Sequence, residues 1–518
     1  MWRRFSSAVG IAVGLAGPAC SDAQQPPDPL EAAVESITPD KVRGHIAVLA
    51  HDQLRGRDTP SEGLETAARY IADLHESNGL DPAGTEGTFY QRYPFGLQGP
   101  DPSNAEISLS GPAGIAELTV GRDVFIDGGS AEPVVTPLVY LEVGDVSEPA
   151  AGALSGRTAM FLLSGAWGQP LWETSLEQAR VAREAGATAV VHILDSGFPS
   201  SVVGQLGSAL SQPRWRLGGD AFLPRLFVRR RAIEEVIPDD SRPWDSPGGG
   251  ADGGSLPQSI AGVELRARVP PNVTSGGTPA NVLAELPGSD PRLRNEYVVL
   301  TAHFDHVGIG EAVEGDSIYN GADDNGSGTA ALLEVARALS SLPPDQRPSR
   351  TILFAHVSGE EKGLLGSEWW VDHPTRPILN VVANLNIDMV GGDMHPDTVA
   401  VLGNEYSSLG PLIMDVNRSH RELRLSTVSD MWPQERLFFR SDQFNFMREG
   451  IPSLFLFAGL HRCYHRPCDD IDFVNPDKIA RIARLIAYTV VELGNQVERP
   501  QWDPAGLTEV MRMTSGAR

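Results

Sequence analysis

Short apolar runs alternate with helical periodicity through the second half of the chain. Strands are predicted at Asn281–Glu285, Tyr297–Ala302, Thr351–Val357, Val381–Ile387, Val399–Leu402 and Ser453–Leu456. Helices are predicted at Gly328–Ser341, Gly363–Asp372, Pro411–Arg421 and Pro476–Val497. Strand–helix alternation of this kind is the mark of an α/β sheet. Between about 105 and 265 the pattern changes to Val/Leu/Ile strands separated by Gly and Pro, at Val134–Val143, Thr158–Ser164, Thr188–Leu194 and Pro224–Val228. One helix, Ser175–Ala185, stops at Gly186 there, so this stretch reads as a separate mixed domain. Pro238–Pro257, with its glycine runs, reads as a mobile loop. Upstream, Thr38-Pro39-Asp40 opens a helix, and a second runs from Glu62 to Asn78, with Arg55-Gly56-Arg57 in the loop between them. No repeat of solenoid period is present in the sequence.

At 518 residues, 41% hydrophobic and 21% charged, the chain has the composition of a globular protein with two or three domains. Its net charge of −25 argues against a nucleic-acid partner, which needs a basic face. The beginning changes the picture further. Trp2-Arg3-Arg4 precedes a short apolar run from Ala8 to Gly17, too short to span a bilayer, and Ala19–Ala23 offers a cleavage site. We therefore expect export to the periplasm, the outer membrane or the medium, with residues 1–23 as signal and 24–37 as linker. Cys20 offers a lipid anchor as the alternative to a soluble mature form. In an oxidising compartment Cys463 and Cys468 can close a small disulfide loop, with two free thiols as the other reading.

Five segments carry chemistry. His303 ends an apolar strand, and Asp305 two residues on can accept its second ring proton. A Gly/Asp/Asn turn holds Asp323 and Asp324 before a helix. Ser358-Gly359-Glu360-Glu361 follows another strand, and adjacent glutamates on extended backbone point apart, so one can hold a metal while the other faces water. Asp388 ends a fourth strand, and Tyr464-His465 lies between the two cysteines, with Asp469 or Asp470 available to support the imidazole. Nitrogen and oxygen donors in this mixture suit divalent cations that hydrolyse amides. His306 reads as a loop residue or a supporting one.

These segments together resemble the co-catalytic zinc exopeptidases, the family of secreted bacterial leucyl aminopeptidases, plasma glutamate carboxypeptidase and the glutamate carboxypeptidases. The matching motifs are Ala302-His303-Phe304-Asp305-His306, Gly321 to Gly328, Ser358 to Glu361, Asn386-Ile387-Asp388-Met389 and Tyr464-His465. Leu49–Tyr93 and Asn281–Gly288 extend the likeness. The resemblance implies a mixed central sheet sandwiched by helices, of the phosphorylase/hydrolase-like kind, in two parts, 38–104 and 266–500, with a tail at 501–518. Residues 105–265 resemble, more weakly, a small inserted α/β protease-associated domain. That domain would restrict access, recognise substrate or pair subunits.

The resemblance implies two zinc ions per chain. His303 and Asp388 would hold one, Glu361 and His465 the other, and Asp323 would bridge them, with a cis peptide between Asp323 and Asp324. Glu360 would be the general base, and Tyr464 would hydrogen-bond the tetrahedral intermediate. Gln443 stands where relatives often carry His, so Arg440, Asp442 and Gln443 are expected at the substrate pocket. The implied activity is removal of N-terminal residues from peptides. Its alternatives are a carboxypeptidase or dipeptidase, with Arg440, Arg462 or Arg466 binding a terminal carboxylate, a glutaminyl-cyclase-like transferase, or a binding protein without catalysis.

Overall fold

Four apolar strands, buried on both faces, lie side by side and parallel at the centre of a nine-stranded sheet in the computed structural model. They run in the order Thr351–Val357, Tyr297–His303, Val381–Ile387 and Ser453–Phe457. Ala280–Leu286 flanks them antiparallel on one side, and Thr398–Leu402 on the other. The structure describes residues 28–514 except 131, 143–148, 165–168, 219–222, 246–257 and 393–395. The export signal, Cys20 and most of the Pro238–Pro257 loop lie outside the described residues.

Side chains alternate across the pleat, and both faces are covered. Val298, Leu300 and Ala302 meet the helices Gly328–Ser340 and Pro476–Asn495 in the largest core. Val299, with Leu353 and Ala355 of the neighbouring strand, meets Trp370 and Phe446 on the other side. Parallel strands put all their carboxyl ends on one edge, so four successive loops open towards the same place.

Residues 106–268 build a second sheet of eight strands with its own core. Val134–Tyr140, Thr158–Leu163, Ala189–Leu194 and Arg225–Arg229 are its parallel centre. The chain enters it through Phe95–Pro100 and leaves through Pro271–Gly277. These strands pair with each other, and Arg214–Leu217 adds a third strand to them.

Several expected boundaries are corrected. The predicted linker contains a helix, Pro29–Glu35, capped by Asp28, with Ala33 and Val34 buried against the core. The predicted tail contains the helix Pro504–Thr514, whose Val510 is buried with Phe438 and Met447. The helix expected from Ser175 begins at Gln169. The long strand Gln258–Arg268 was not predicted, although Val263, Leu265 and Ala267 alternate inward as a strand requires.

Candidate active site

The carboxyl edge of the central sheet collects the candidate residues. His303 is the last residue of its strand. Asp388 directly follows Val381–Ile387, and Glu360 and Glu361 follow Thr351–Val357 by three and four residues. Tyr464 and His465 sit in the loop after Ser453–Phe457, which the Cys463–Cys468 disulfide closes.

The two adjacent aspartates have separate jobs. Asp324 stands between two histidines: its Oδ1 is 3.4 Å from His303 Nε2 and its Oδ2 is 3.2 Å from His465 Nε2. Asp323 turns the other way, accepting from the Gly391 N–H (2.6 Å) and facing His461 Nε2 at 3.1 Å. The place between the two histidines expected for Asp323 is therefore taken by Asp324. The cis peptide is Asp324–Asn325, not Asp323–Asp324. The physical reason is local. The Ala322–Ser327 turn is irregular, and Asp324 itself has non-helical angles, so neighbouring side chains diverge.

Around Asp324 the donors form two groups whose ligand atoms lie within 4.8 Å of one another: His306, Asp324, Glu361 and His465, and His303, Glu360 and Asp388. His303 Nε2 is 3.3 Å from Asp388 Oδ1, and His465 Nε2 is 3.0 Å from Glu361 Oε2. His306 Nδ1 approaches Glu361 Oε1 at 2.7 Å, so this histidine belongs to the site's inner wall.

The charges are consistent with a cation site. Burial opposes the charged form of His303, but Asp388 and Glu360 outweigh it and hold the imidazole well above its ordinary value. Burial raises Glu360 well above the carboxylate range, and Glu361, Asp388 and Asp442 add to it against the pull of His303. Four carboxylates so close together and so poorly solvated call for positive charge between them. The nitrogen and oxygen donors of these two sets, with Asp324 facing a histidine of each, suit zinc.

Supporting contacts hold the donors in place. Asp305 receives a bond from Thr59 Oγ1 (2.9 Å) and one from the Glu360 N–H (3.3 Å). His303 Nδ1 lies nearer the Asp305 carbonyl (3.3 Å) than its carboxylate (3.7 Å), so the expected His303–Asp305 side-chain pairing is secondary. Asp469 accepts from the backbone N–H groups of Asp323 (2.8 Å) and Asp324 (3.0 Å), rather than from His465. Ser441 Oγ donates to Asp388 Oδ2 at 2.8 Å, and Asn386 Nδ2 donates to both Ser441 Oγ and Gln443 Oε1. Thr59, His461, Asp469 and Ser441 could not be assigned these partners from sequence, because each pairing joins segments far apart in the chain.

The substrate pocket differs from expectation at two of three positions. Its walls include Asp324, Glu360, Asp388, Leu437, Arg440, Phe455, Phe457 and Tyr464. Gln443 is fully buried behind Asp388, and Asp442 is buried with its carboxylate accepting from Ser367 Oγ at 2.5 Å. Neither lines the pocket. Tyr464 lies against His465, ring centroids 3.9 Å apart, and burial with the Asp324 and Glu361 carboxylates pushes its phenol pKa up, so it is a hydrogen-bond donor at neutral pH.

Comparison with known proteins finds similar chains among the peptidases. The chain is 29% identical over 250 residues to leupeptin-inactivating enzyme 1 of Streptomyces exfoliatus, covering 43% of this chain and 50% of that protein. It is 29% identical over 213 residues to aminopeptidase YwaD of Bacillus subtilis, covering 40% and 43%. The chain thus spans half or less of the length of these relatives. Among solved structures, an aminopeptidase from Aneurinibacillus sp. strain AM-1 aligns over 92% of this chain and 98% of its own at 19% identity, with a TM-score of 0.47. The model of peptidase family M28 matches residues 281–490. All of the candidate ligands lie inside that stretch, so the part of the chain that is similar to peptidase family M28 is the part that carries the site.

Proposed function

We propose that this chain is an exported two-zinc aminopeptidase that removes N-terminal residues from peptides. The observation that carries the reading is Asp324, whose two oxygens face His303 on one side and His465 on the other. His303, Asp388 and one oxygen of Asp324 would hold one zinc ion, and Glu361, His465 and the other oxygen the second. A zinc pair lowers the pKa of a bound water and polarises a carbonyl. Glu360 sits beside His303 and Asp388; with an oxygen of Asp324 as the third donor there, Glu360 would be left to take a proton from the attacking water and return it to the leaving amine. Tyr464 would donate to the developing oxyanion. Asp305, held by Thr59, fixes the Glu360 backbone through its N–H. The apolar walls at Leu437, Phe455 and Phe457 would receive the side chain of the residue removed.

Export is supported by the charged and apolar start of the chain and is compatible with the Cys463–Cys468 bond. The second sheet would be a protease-associated domain. Mass of the mature N-terminus separates cleavage within Ala19–Ala23 from lipid attachment at Cys20.

One observation favours a second reading. Of the three arginines considered for a terminal carboxylate, Arg440 lines the pocket and Arg462 and Arg466 do not line it. The test uses zinc-loaded mature protein on two panels, aminoacyl anilides with a free amino end and N-blocked peptides with a free carboxyl end. Cleavage of the first panel alone, abolished by chelator, is the expected result. Cleavage of the second alone would replace the aminopeptidase by a carboxypeptidase.

A further inference from the structure

Arg57 is fully buried, and none of its hydrogen bonds goes to a carboxylate. Its guanidinium donates to four backbone carbonyls: Nε to Phe304 (2.8 Å), Nη1 to Asn320 (2.7 Å) and to Leu49, and Nη2 to Gly321 (2.9 Å). Its own carbonyl accepts from the His306 N–H at 3.3 Å. Phe304 lies directly between His303 and Asp305, and Gly321 lies three residues before Asp324. One side chain from the first sixty residues thus ties together the two loops that present His303 and Asp324. The backbone just before Arg57 is tightly packed. Gly56 has φ +69°, and a Cβ there would stand 2.4 Å from the Tyr319 carbonyl and 2.5 Å from that of Gly308.

A fully buried guanidinium is costly without counter-charge. Burial lowers Arg57 to about 10, while Asp305, Asp469, Asp324 and Glu361 act to keep it charged. It therefore remains a cation at neutral pH and offsets carboxylates it does not touch. Lysine cannot reproduce the planar fork that reaches four carbonyls at once.

We infer that Arg57 is a positioning residue, setting the separation of His303 and Asp324 through the Phe304, Asn320 and Gly321 carbonyls. This rests on the zinc-site reading above. The test compares full-length wild type, Arg57→Lys and Arg57→Gln by hydrogen–deuterium exchange of the metal-free protein and by zinc titration against a competing chelator. In Arg57→Gln, exchange at 304–308 and 320–325 should rise by about tenfold or more while the Pro476–Asn495 helix is unchanged, the pattern of local opening. Zinc affinity should fall by about 10–100-fold, the usual effect of losing a residue that orients ligands. Arg57→Lys, which keeps the charge and is the variant to read if Arg57→Gln does not fold, should fall between. Uniform acceleration of exchange across the chain, or unchanged zinc affinity in Arg57→Lys with the 304–308 and 320–325 exchange unchanged, would overturn the inference. Failure of the peptidase reading is separately visible, as wild-type protein that binds zinc normally and cleaves neither panel.

Discussion

Asp323 and Asp324 are chemically identical neighbours with different tasks. One oxygen of Asp323 accepts a backbone N–H, whereas the oxygens of Asp324 face two histidines. Asp324→Asn should therefore lower the zinc content from two ions to one or none. Asp323→Asn should retain both ions and lose mainly stability. Atomic absorption on the dialysed variants decides it, and zinc loss confined to Asp323→Asn would return the bridging role to that residue. Glu360 gives the complementary case. Glu360→Gln should lower turnover by about 10²–10⁴-fold while both zinc ions stay bound. Turnover near that of wild type would remove Glu360 from proton transfer. The identity of the donors was readable, because His303 and Asp388 end apolar strands and Glu360 follows one closely. The choice between Asp323 and Asp324 was not, since no periodicity governs an irregular turn.

The helix Glu62–Ser77 and the strand Thr351–Val357 bring His75 and His356 together, ring centroids 5.1 Å apart. Both are fully buried, and burial lowers His75 to about 3 and His356 well below its ordinary value. His192, buried in the second sheet against Gln178, is lowered in the same way. A depressed histidine pKa makes the unfolded state the better proton acceptor. Stability is thus full above the unfolded value near 6.5 and is lost as pH falls through it. At pH 5.5 the His75 ring costs about 1.3 kcal/mol relative to pH 7, and the other two add in the same direction. Urea midpoints measured from pH 8 to 5 should fall accordingly, and His75→Phe should flatten the slope. A slope equal to that of wild type would show that His75 does not contribute. Sequence periodicity placed both histidines on an element, but not against each other, because their contact joins residues 281 positions apart.

Across the whole molecule, the N-terminal segment is part of the largest hydrophobic core, under the nine-stranded sheet. Ala33, Val34 and Ile37 are buried there, and Arg337 and Arg484 donate to the carbonyls of Ser36 and Ile37. Val34 and Ile37 each contribute about 1.5–3 kcal/mol by burial, before the ordering of the segment is counted. Mature protein lacking residues 28–37 should melt at a lower temperature, with exposed apolar surface on the Gly328–Ser340 and Pro476–Asn495 helices. An unchanged melting temperature would show that the segment adds no net stability. The same scale explains the reach of Thr59 and Arg57, which arrive at the site from a part of the chain about 250 residues upstream of His303.

By itself the sequence determined the strand–helix alternation after residue 270, the presence of a second mixed unit near 105–265 and the donor types at the sheet edge. These follow from local rules: side-chain period, caps and the residue that ends each strand. Tertiary structure decided which aspartate faces the histidines. It also decided that Gln443 and Asp442 are buried away from the pocket, and that Asp469 holds the Asp323 and Asp324 amides. Those outcomes depend on backbone direction in irregular loops and on contacts between distant segments, and short-range pattern contains neither.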